Sequence, residues 1–489
     1  MNTGDLYRRL GLAPSASAEE IKAAYRLAAR RFHPDANANA GAAEEFKLVA
    51  EAYAILGDPA RRTTYDAGIP RRTGALLDLR LTTSREIVPA LGEPQVWYVL
   101  AEATPSVSQP LPDPPVNLCL VIDRSTSMQG VRLEQVKASV LQVIDSLREN
   151  DSFSVVAFSD KAEVIISGQR GTAERAAAKA KVSTLSAGGG TEILQGLLTG
   201  LTELHQHLSP TAVNHLILLT DGRTYGDEND CLLLAGLAAT DGISISGLGI
   251  GDEWNDKFLD ELTSKTGAVA TYVSAPQQLK TFIQDRVRTL GNSYAERLCL
   301  QVTLDPEMTL ESAFKFSPEP GPVSVSEQPL RLGGLPKGQS VTLLLKFRLP
   351  ILPEGEHPVA RLSFYADVVS LSRQNDRTLT DLVVTVQTNP PVKTPPTAIM
   401  DALGKLSQYK LQERAWQEAD TGDILSAASR LQTLSTRLLA SGQTDLAKMA
   451  LSEARRLENT HILSEEAKKQ LKYGTRALML PAPNPSRKS

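Results

Sequence analysis

Five oxygen-bearing side chains stand at three separated places in this chain. Asp123-Arg124-Ser125-Thr126-Ser127 closes one apolar run, Gly188-Gly189-Gly190-Thr191 opens a helix-like segment, and Thr220-Asp221-Gly222 closes a second apolar run. If the two runs are strands of one parallel sheet, Asp123, Ser125, Ser127, Thr191 and Asp221 meet at its carboxyl edge, where open α/β folds bind ligands. Two carboxylates and three hydroxyls, with no nitrogen or sulfur donor, suit a hard cation. Mg²⁺ favours six oxygens at about 2.1 Å and keeps some waters, and Mn²⁺ or Ca²⁺ are its alternatives. The glycines let the backbone of the middle loop approach closely. A second constellation, His33-Pro34-Asp35, lies between two helical patterns near the amino terminus. Lys22, Arg26 and Arg30 recur every four residues on the first helix and form a basic stripe, which favours an acidic partner.

The elements that must carry these residues are legible as patterns. Residues 18–31 contain strong helix formers, with Ser17 as cap and acids in the first turn. Ile21, Ala24, Tyr25 and Ala28 share one face, and Phe46, Val49, Ala50, Tyr53 and Leu56 line a second helix. Together they predict an antiparallel hairpin with the His-Pro-Asp loop at its tip. Val116 to Ile122 is an apolar run suited to a strand buried on both faces. Further runs at 154–158, 164–166, 215–220 and 243–249 are mostly separated by helical segments, which predicts a parallel sheet with helices on both faces, ending near Leu290.

The flanking sequence reads differently. Leu77, Leu79 and Leu81 alternate with polar residues, and Val96 to Leu100 is another strand. Five prolines between Pro105 and Pro115 mark a linker. From Leu298 the chain is all-β, with alternation at 298–304, 341–347 and 382–386. The strands at 76–104 have no sheet of their own, so we expect them to pair with this later sandwich, which would leave fewer exposed edges. From Pro396 the pattern is helical, with stripes at Leu431, Leu434 and Leu438 and at Leu446, Ala450, Ala454 and Leu457, broken at Gly442. One helical pair does not define a solenoid. The expected divisions are 1–68, a linker at 69–75, strands at 76–104, the α/β domain at 115–290, the sandwich at 295–390, helices at 396–480 and a disordered tail at 481–489.

Composition narrows the classes. The chain has 489 residues, 42% hydrophobic and 22% charged, an ordinary balance for several globular domains. A net charge of -4 gives no global basic field for nucleic acid. No apolar run approaches the roughly 20 residues that span a bilayer, and the first residues show no secretory pattern. Cys119, Cys231 and Cys299 lack metal spacing and read as reduced thiols. A cytoplasmic chain with neither membrane nor nucleic-acid partner is expected. The His205-x-His207 pair, the acids at 227–230 and 252–253, and Arg71-Arg72 read as surface or linker residues.

Two resemblances sharpen this reading. Tyr7-x-x-Leu10-Gly11-Leu12, Glu20-Ile21-Lys22-x-Ala24-Tyr25-Arg26, His33-Pro34-Asp35, Glu45-Phe46-Lys47, Glu51-Ala52-Tyr53-x-x-Leu56, Asp58-Pro59 and Arg62-x-x-Tyr65-Asp66 resemble a J-domain over roughly the first 68 residues. The resemblance implies docking of His33, Pro34, Asp35 and the Lys22, Arg26 and Arg30 face on a DnaK-type heat-shock 70 chaperone, whose ATP hydrolysis is stimulated. Asp123, Ser125, Ser127, Thr191 and Asp221 resemble the metal-ion-dependent adhesion site of von Willebrand factor A domains, over about residues 115–290. That likeness implies that the serines and threonine touch the metal, that the aspartates often act through water, and that one position stays open for a partner's Asp or Glu. A cation ringed mostly by neutral oxygens stays electron-poor and binds such a carboxylate well.

The fold class expected is multidomain: an all-α J-domain, a doubly wound α/β von Willebrand A domain inserted in a β-sandwich, and a C-terminal α-helical segment. The function expected is that of an adaptor co-chaperone, with a Gly/Phe-rich stretch and a cysteine-rich zinc module both missing, which points to dedicated targets. The alternative is a scaffold subunit beside an AAA+ ATPase or in a stress or signalling complex. Catalysis is not expected. A haloacid dehalogenase-like phosphatase needs an aspartate where Ser125 stands, and there is no nucleophile arrangement or phosphate-cradling loop.

Overall fold

The computed structural model describes residues 6–12, 16–39, 41–68, 76–106, 111–170, 174–224 and 226–480. The linker expected at 69–75, with Arg71-Arg72, and the tail at 481–489 lie outside the described residues, as do residues 107–110 of the proline-rich stretch. In chain order the elements are α1 (Leu6–Arg9), α2 (Ala18–Phe32), α3 (Ala42–Leu56), α4 (Pro59–Gly68), β1 (Leu77–Thr83), β2 (Ile87–Pro89) and β3 (Gln95–Pro105). Next come β4 (Val116–Asp123), α5 (Val131–Ser146), β5 (Ser152–Phe158), β6 (Ala162–Arg170), α6 (Arg175–Ser183), α7 (Ile193–His205) and β7 (Val213–Thr220). They continue with α8 (Glu228–Thr240), β8 (Ile243–Ile250), α9 (Asp256–Ser264), β9 (Ala270–Val273) and α10 (Leu279–Gly291). The strands β10 (Ser293–Leu304), β11 (Thr309–Ser317), β12 (Gly321–Val323), β13 (Leu330–Pro336), β14 (Val341–Leu349), β15 (Gly355–Val368) and β16 (Arg373–Gln387) follow. The helices α11 (Thr397–Asp420), α12 (Ile424–Ala440), α13 (Thr444–Thr460) and α14 (Glu465–Ala477) end the described chain. Two units result: one of Met1–Leu111, Tyr294–Lys315 and Pro322–Ile399, the other of Pro112–Ser293, Phe316–Gly321 and Met400–Ser489.

In the first unit, Ser17 starts α2 through a capping box. Its hydroxyl accepts from the Glu20 N–H at 3.2 Å, and the Glu20 carboxylate accepts from the Ser17 N–H at 2.6 Å. Ile21, Ala28 and Phe32 are buried with Val49, Ala52 and Leu56 of α3. Tyr25 stacks on Tyr53 with centroids 4.1 Å apart, and His33 meets Phe46 edge-on at 5.2 Å. The partners run in opposite order, so the helices are antiparallel and residues 33–35 form the tip.

The early strands join the late ones, as the fold class requires. One five-stranded sheet has the order β1-β3-β14-β11-β12 and the other β13-β10-β15-β16-β2. β3 pairs antiparallel with both β1 and β14, and β2 lies parallel to β16. Trp97, Val99, Leu343, Phe347, Leu300, Leu362 and Phe364 are among the side chains of their shared core. In sequence the α/β domain is inserted between β3 and β10.

In the second unit, the sheet order is β6-β5-β4-β7-β8-β9. Every residue of β4, β5, β7 and β8 is buried, as strands covered on both faces must be. α5, α6 and α10 cover one face and α7, α8 and α9 the other, each with its own core cluster. The expected all-parallel sheet is corrected at β6, which is antiparallel to β5. The two strands are joined only through Ser159-Asp160-Lys161, with the Ser159 N–H donating to Lys161 O at 3.0 Å, and so short a connection cannot make a parallel crossover. Helix α7 presses on the sheet through glycine: a Cβ at Gly200 would lie 2.5 Å from Val121. The helices α12 and α13 turn at Gly442, whose φ is +78°, and bury both expected stripes apart from Leu446, which is partly buried.

Candidate functional site

The order of the sheet makes β4 and β7 its topological switch point, with neighbouring chain directions diverging beyond their carboxyl ends. Asp123 is the last residue of β4 and Asp221 follows β7; both are fully buried. Asp123 Oδ1 accepts from the Ser125 N–H at 2.8 Å, and Asp123 Oδ2 from the Thr220 hydroxyl at 2.7 Å. The Ser125 and Ser127 hydroxyl oxygens are 3.0 Å apart, and the Ser127 hydroxyl donates to Asp221 Oδ1 at 2.7 Å. The glycine loop is stitched to this turn, with Thr126 donating from N–H and hydroxyl to Gly189 O at 3.1 and 3.0 Å. Gly189 has φ +87°, a conformation that glycine adopts freely. Thr191 then stands beside Gly222, where a Cβ would lie 3.0 Å from its hydroxyl oxygen. The structure therefore brings all five oxygen-bearing residues to one rim.

The donor set fits a hard cation. Oxygens sharing one Mg²⁺ on adjacent positions lie about 3 Å apart, given bonds of about 2.1 Å. The Ser125, Ser127 and Asp221 oxygens already have neighbouring spacings of 3.0 and 2.7 Å. Burial pushes the Asp123 carboxyl up to about 6 against the bonds from Ser125 and Thr220, and the Asp221 charge pushes the same way. A carboxylate so placed is best held ionised by a nearby cation. Among the described residues no group of three or more His, Cys, Asp or Glu side chains could hold a metal. The thiols do not contribute: Cys119, Cys231 and Cys299 are free, and burial pushes the first to about 12 and the last to about 11.

At the other candidate site, the His33-Pro34-Asp35 tip is closed by the Asn37 N–H donating to His33 O at 2.8 Å and the Asp35 N–H to His33 Nδ1 at 3.2 Å. Asp35 is 91% exposed, His33 45%, and Lys22, Arg26 and Arg30 are all exposed. The opposite side of the module is occupied. Arg31 lies nine residues after Lys22, roughly 180° around the helix. Its Nε donates to Asp305 Oδ2 at 2.7 Å and its Nη1 to Asp381 Oδ1 at 2.8 Å. The Asn37 amide donates to Leu304 O at 3.0 Å, and Arg377 pairs with Glu45.

Sequence reasoning missed some residues at both sites. Arg132, in the first turn of α5, donates to Asp221 Oδ2 at 2.6 Å. A cation beside the positive end of a helix dipole is unfavourable alone, and that misplacement was the available signal. Asp227 is a correction to the solvated loop acid expected. It is buried, accepts from the Leu194 N–H of α7 at 3.0 Å and from the Thr224 hydroxyl, and so fixes the helix that follows Thr191. His205 is half-exposed and pairs with Asp241 at 3.0 Å.

Comparisons with known proteins agree with this architecture. The DnaJ domain family matches residues 5–66, the von Willebrand factor type A domain residues 117–285, and the Sll0103-like, C-terminal alpha-helical domain residues 397–481. The Synechocystis protein sll0103 is 32% identical over 384 residues, covering 76% of this chain and 90% of that protein. The chain belongs to the Sll0103-like family and carries a J-domain fused to a von Willebrand factor A domain. The chaperone protein DnaJ of Listeria monocytogenes is 53% identical over 62 residues, and the chain spans only 16% of its length. The structure of a von Willebrand factor type A protein from Catenulispora acidiphila matches with TM-score 0.67 at 18% identity, covering 83% of this chain and 98% of that one, a likeness of fold. Among the described residues no helix is long and apolar enough to cross a membrane.

Proposed function

We propose that this chain is an adaptor co-chaperone. Its J-domain recruits a DnaK-type heat-shock 70 chaperone and stimulates ATP hydrolysis, while its A domain holds a protein ligand at a cation-dependent adhesion site. The observation that carries the reading is the exposure of the His33–Asp35 tip and the Lys22, Arg26 and Arg30 stripe, on a module whose opposite side is held by its own chain. A basic stripe left free in this way attracts an acidic surface and orients the encounter. At the other site Asp123, Ser125, Ser127, Thr191 and Asp221 would hold Mg²⁺, or Mn²⁺ or Ca²⁺ in its place. The ion supplies a Lewis-acidic position for an incoming carboxylate oxygen. Around it the hydroxyls of Ser125 and Ser127 keep the ring of donors largely neutral, and the Gly189 loop sets Thr191 against Gly222. Holding a client in one domain while another binds the chaperone raises the local concentration of each for the other.

Two measurements test the two halves. His33→Gln is expected to abolish stimulation of a DnaK-type ATPase with an unchanged circular dichroism spectrum; wild-type stimulation by the variant defeats the chaperone half. Thr191→Ala is expected to weaken Mn²⁺ binding by roughly tenfold or more. Titration curves that coincide with those of the wild type defeat the adhesion half.

A further inference from the structure

Arg132 stands where three loops of the sheet edge meet. It is the second residue of α5, 31% exposed, and its Nη1 donates to Asp221 Oδ2 at 2.6 Å and to Ser127 O at 3.2 Å. A Cβ on Gly251, just after β8, would lie 3.2 Å from its Nη2. The fully buried Asp221 is thereby divided between two jobs. Oδ1 accepts from the Ser127 hydroxyl within the ring of candidate donors, and Oδ2 is held by a guanidinium outside it. Guanidinium keeps its charge at any pH the protein meets, and its planar donors fix it in place.

On the metal-site reading above, we infer that Arg132 sets the charge of the adhesion site, giving up cation affinity in return for selectivity toward an acidic ligand. Asp123, Asp221 and Arg132 together carry one net negative charge, so a divalent ion leaves the loaded site at plus one and an incoming carboxylate neutralises it. Without the guanidinium the same site would carry two negative charges. The ion would be held more tightly, the loaded site would be neutral, and a carboxylate would gain little. Arg132 acts through Asp221 and is a positioning and charge-setting residue, not a ligand of the ion.

The two halves of this inference move in opposite directions, which a merely structural role cannot reproduce. In full-length protein freed of metal, calorimetric titration with MnCl₂ gives the cation affinity, and titration of the Mn²⁺-loaded protein with acetate gives the carboxylate affinity. Arg132→Gln and Arg132→Met are each expected to bind Mn²⁺ about tenfold more tightly and acetate about tenfold more weakly, while Arg132→Lys stays near the wild type. The opposed shift in either neutral variant supports the inference, so one that fails to fold does not remove the test. Unchanged constants, or both constants weakened together, overturn the inference while the metal site stands. A wild-type chain that takes up no Mn²⁺ overturns the metal-site reading and the inference with it.

Discussion

Two ionic seams hold the outer modules of this chain, and they distribute charge differently. The J-domain rests on the sandwich through an alternating network. Arg31 and Glu45 come from the module, and Asp305, Asp381, Arg361 and Arg377 come from β15, β16 and the turn after β10. Arg361 grips Asp381 with two bonds of 2.9 Å, and the guanidinium carbons of Arg31 and Arg361 each lie 5.0 Å from the Phe32 ring centroid. The tail helix α14 docks on α9 with the charges segregated. Arg476 reaches both oxygens of Asp260 at 2.8 and 2.6 Å, Lys472 binds Asp260 at 2.8 Å and also Asp256, and Lys469 lies 4.9 Å from the Trp254 centroid. The three cations named belong to one helix and the two carboxylates they bond to the other, with the Glu413 carboxyl of α11 acting on them only through its charge. An alternating network can lose one member and re-pair, whereas a segregated one hangs on its hub.

The titration directions carry the same difference. Burial raises Asp260, but the charges of Arg476 and Lys472 outweigh it, and the carboxyl ends below the usual range. Its folded pKa is depressed, so its contribution is present above the unfolded carboxylate value and is lost only as pH falls through the folded one. Asp305 is bonded by Arg31, with Arg361 acting only through its charge, and burial, helped by the Asp381 charge, wins, so its carboxyl is raised. Its contribution is full below the unfolded value and is lost as pH rises through the folded one.

The largest effect is therefore expected at Asp260. Asp260→Ala takes from Arg476, whose side chain is 8% exposed, both bonds to its carboxylate, and leaves Lys472, 6% exposed, with Asp256 alone. Leaving a buried charge unpaired costs 3–5 kcal/mol as a rule, and the Asp260 side chain is itself 20% exposed, so the lower end, about 3 kcal/mol, applies. The check is amide exchange along α14 at pH 7. Protection should fall by that amount in α14 and stay unchanged in α2. A loss below about 1 kcal/mol would make the two seams alike and break the comparison.

The chain announced its elements more clearly than its seams. β4 was legible because all eight of its residues are buried and five of them in succession, Leu118 to Ile122, are apolar. The five rim oxygens were legible because their types and their places at strand ends restrict the chemistry. The direction of β6 was not, because apolar alternation carries no polarity; only the shortness of the Ser159–Lys161 turn spoke for it. Arg31 and Asp305 are 274 residues apart, and nothing periodic links them. Arg31 reads as one more cation in the last turn of α2, where the dipole already welcomes it. Asp227 belongs to the same class, ordinary until the fold supplies its partner, whereas Arg132 at least stands out as a cation in the first turn of α5.

The smaller effect, at Asp305, sharpens the contrast. Asp305→Asn removes one carboxylate from Arg31 but leaves it the 2.8 Å bond to Asp381, and the amide can still accept from Nε. A charged hydrogen bond contributes about 1.5–3 kcal/mol, and here the retained bonds offset most of it, so a loss of about 1 kcal/mol is expected at pH 7. The raised carboxyl adds a sign. As pH falls toward the ordinary carboxylate range the wild-type Asp305 takes up a proton in the folded protein before it would in the unfolded chain, which stabilises the wild type, while the asparagine takes up none. The lead of the wild type over the variant in exchange protection of α2 should therefore widen as pH falls from 7 toward the ordinary carboxylate range. A gap that narrows on acidification would mean that Asp305 is held ionised by Arg31 after all, and that the alternating seam has a hub of its own.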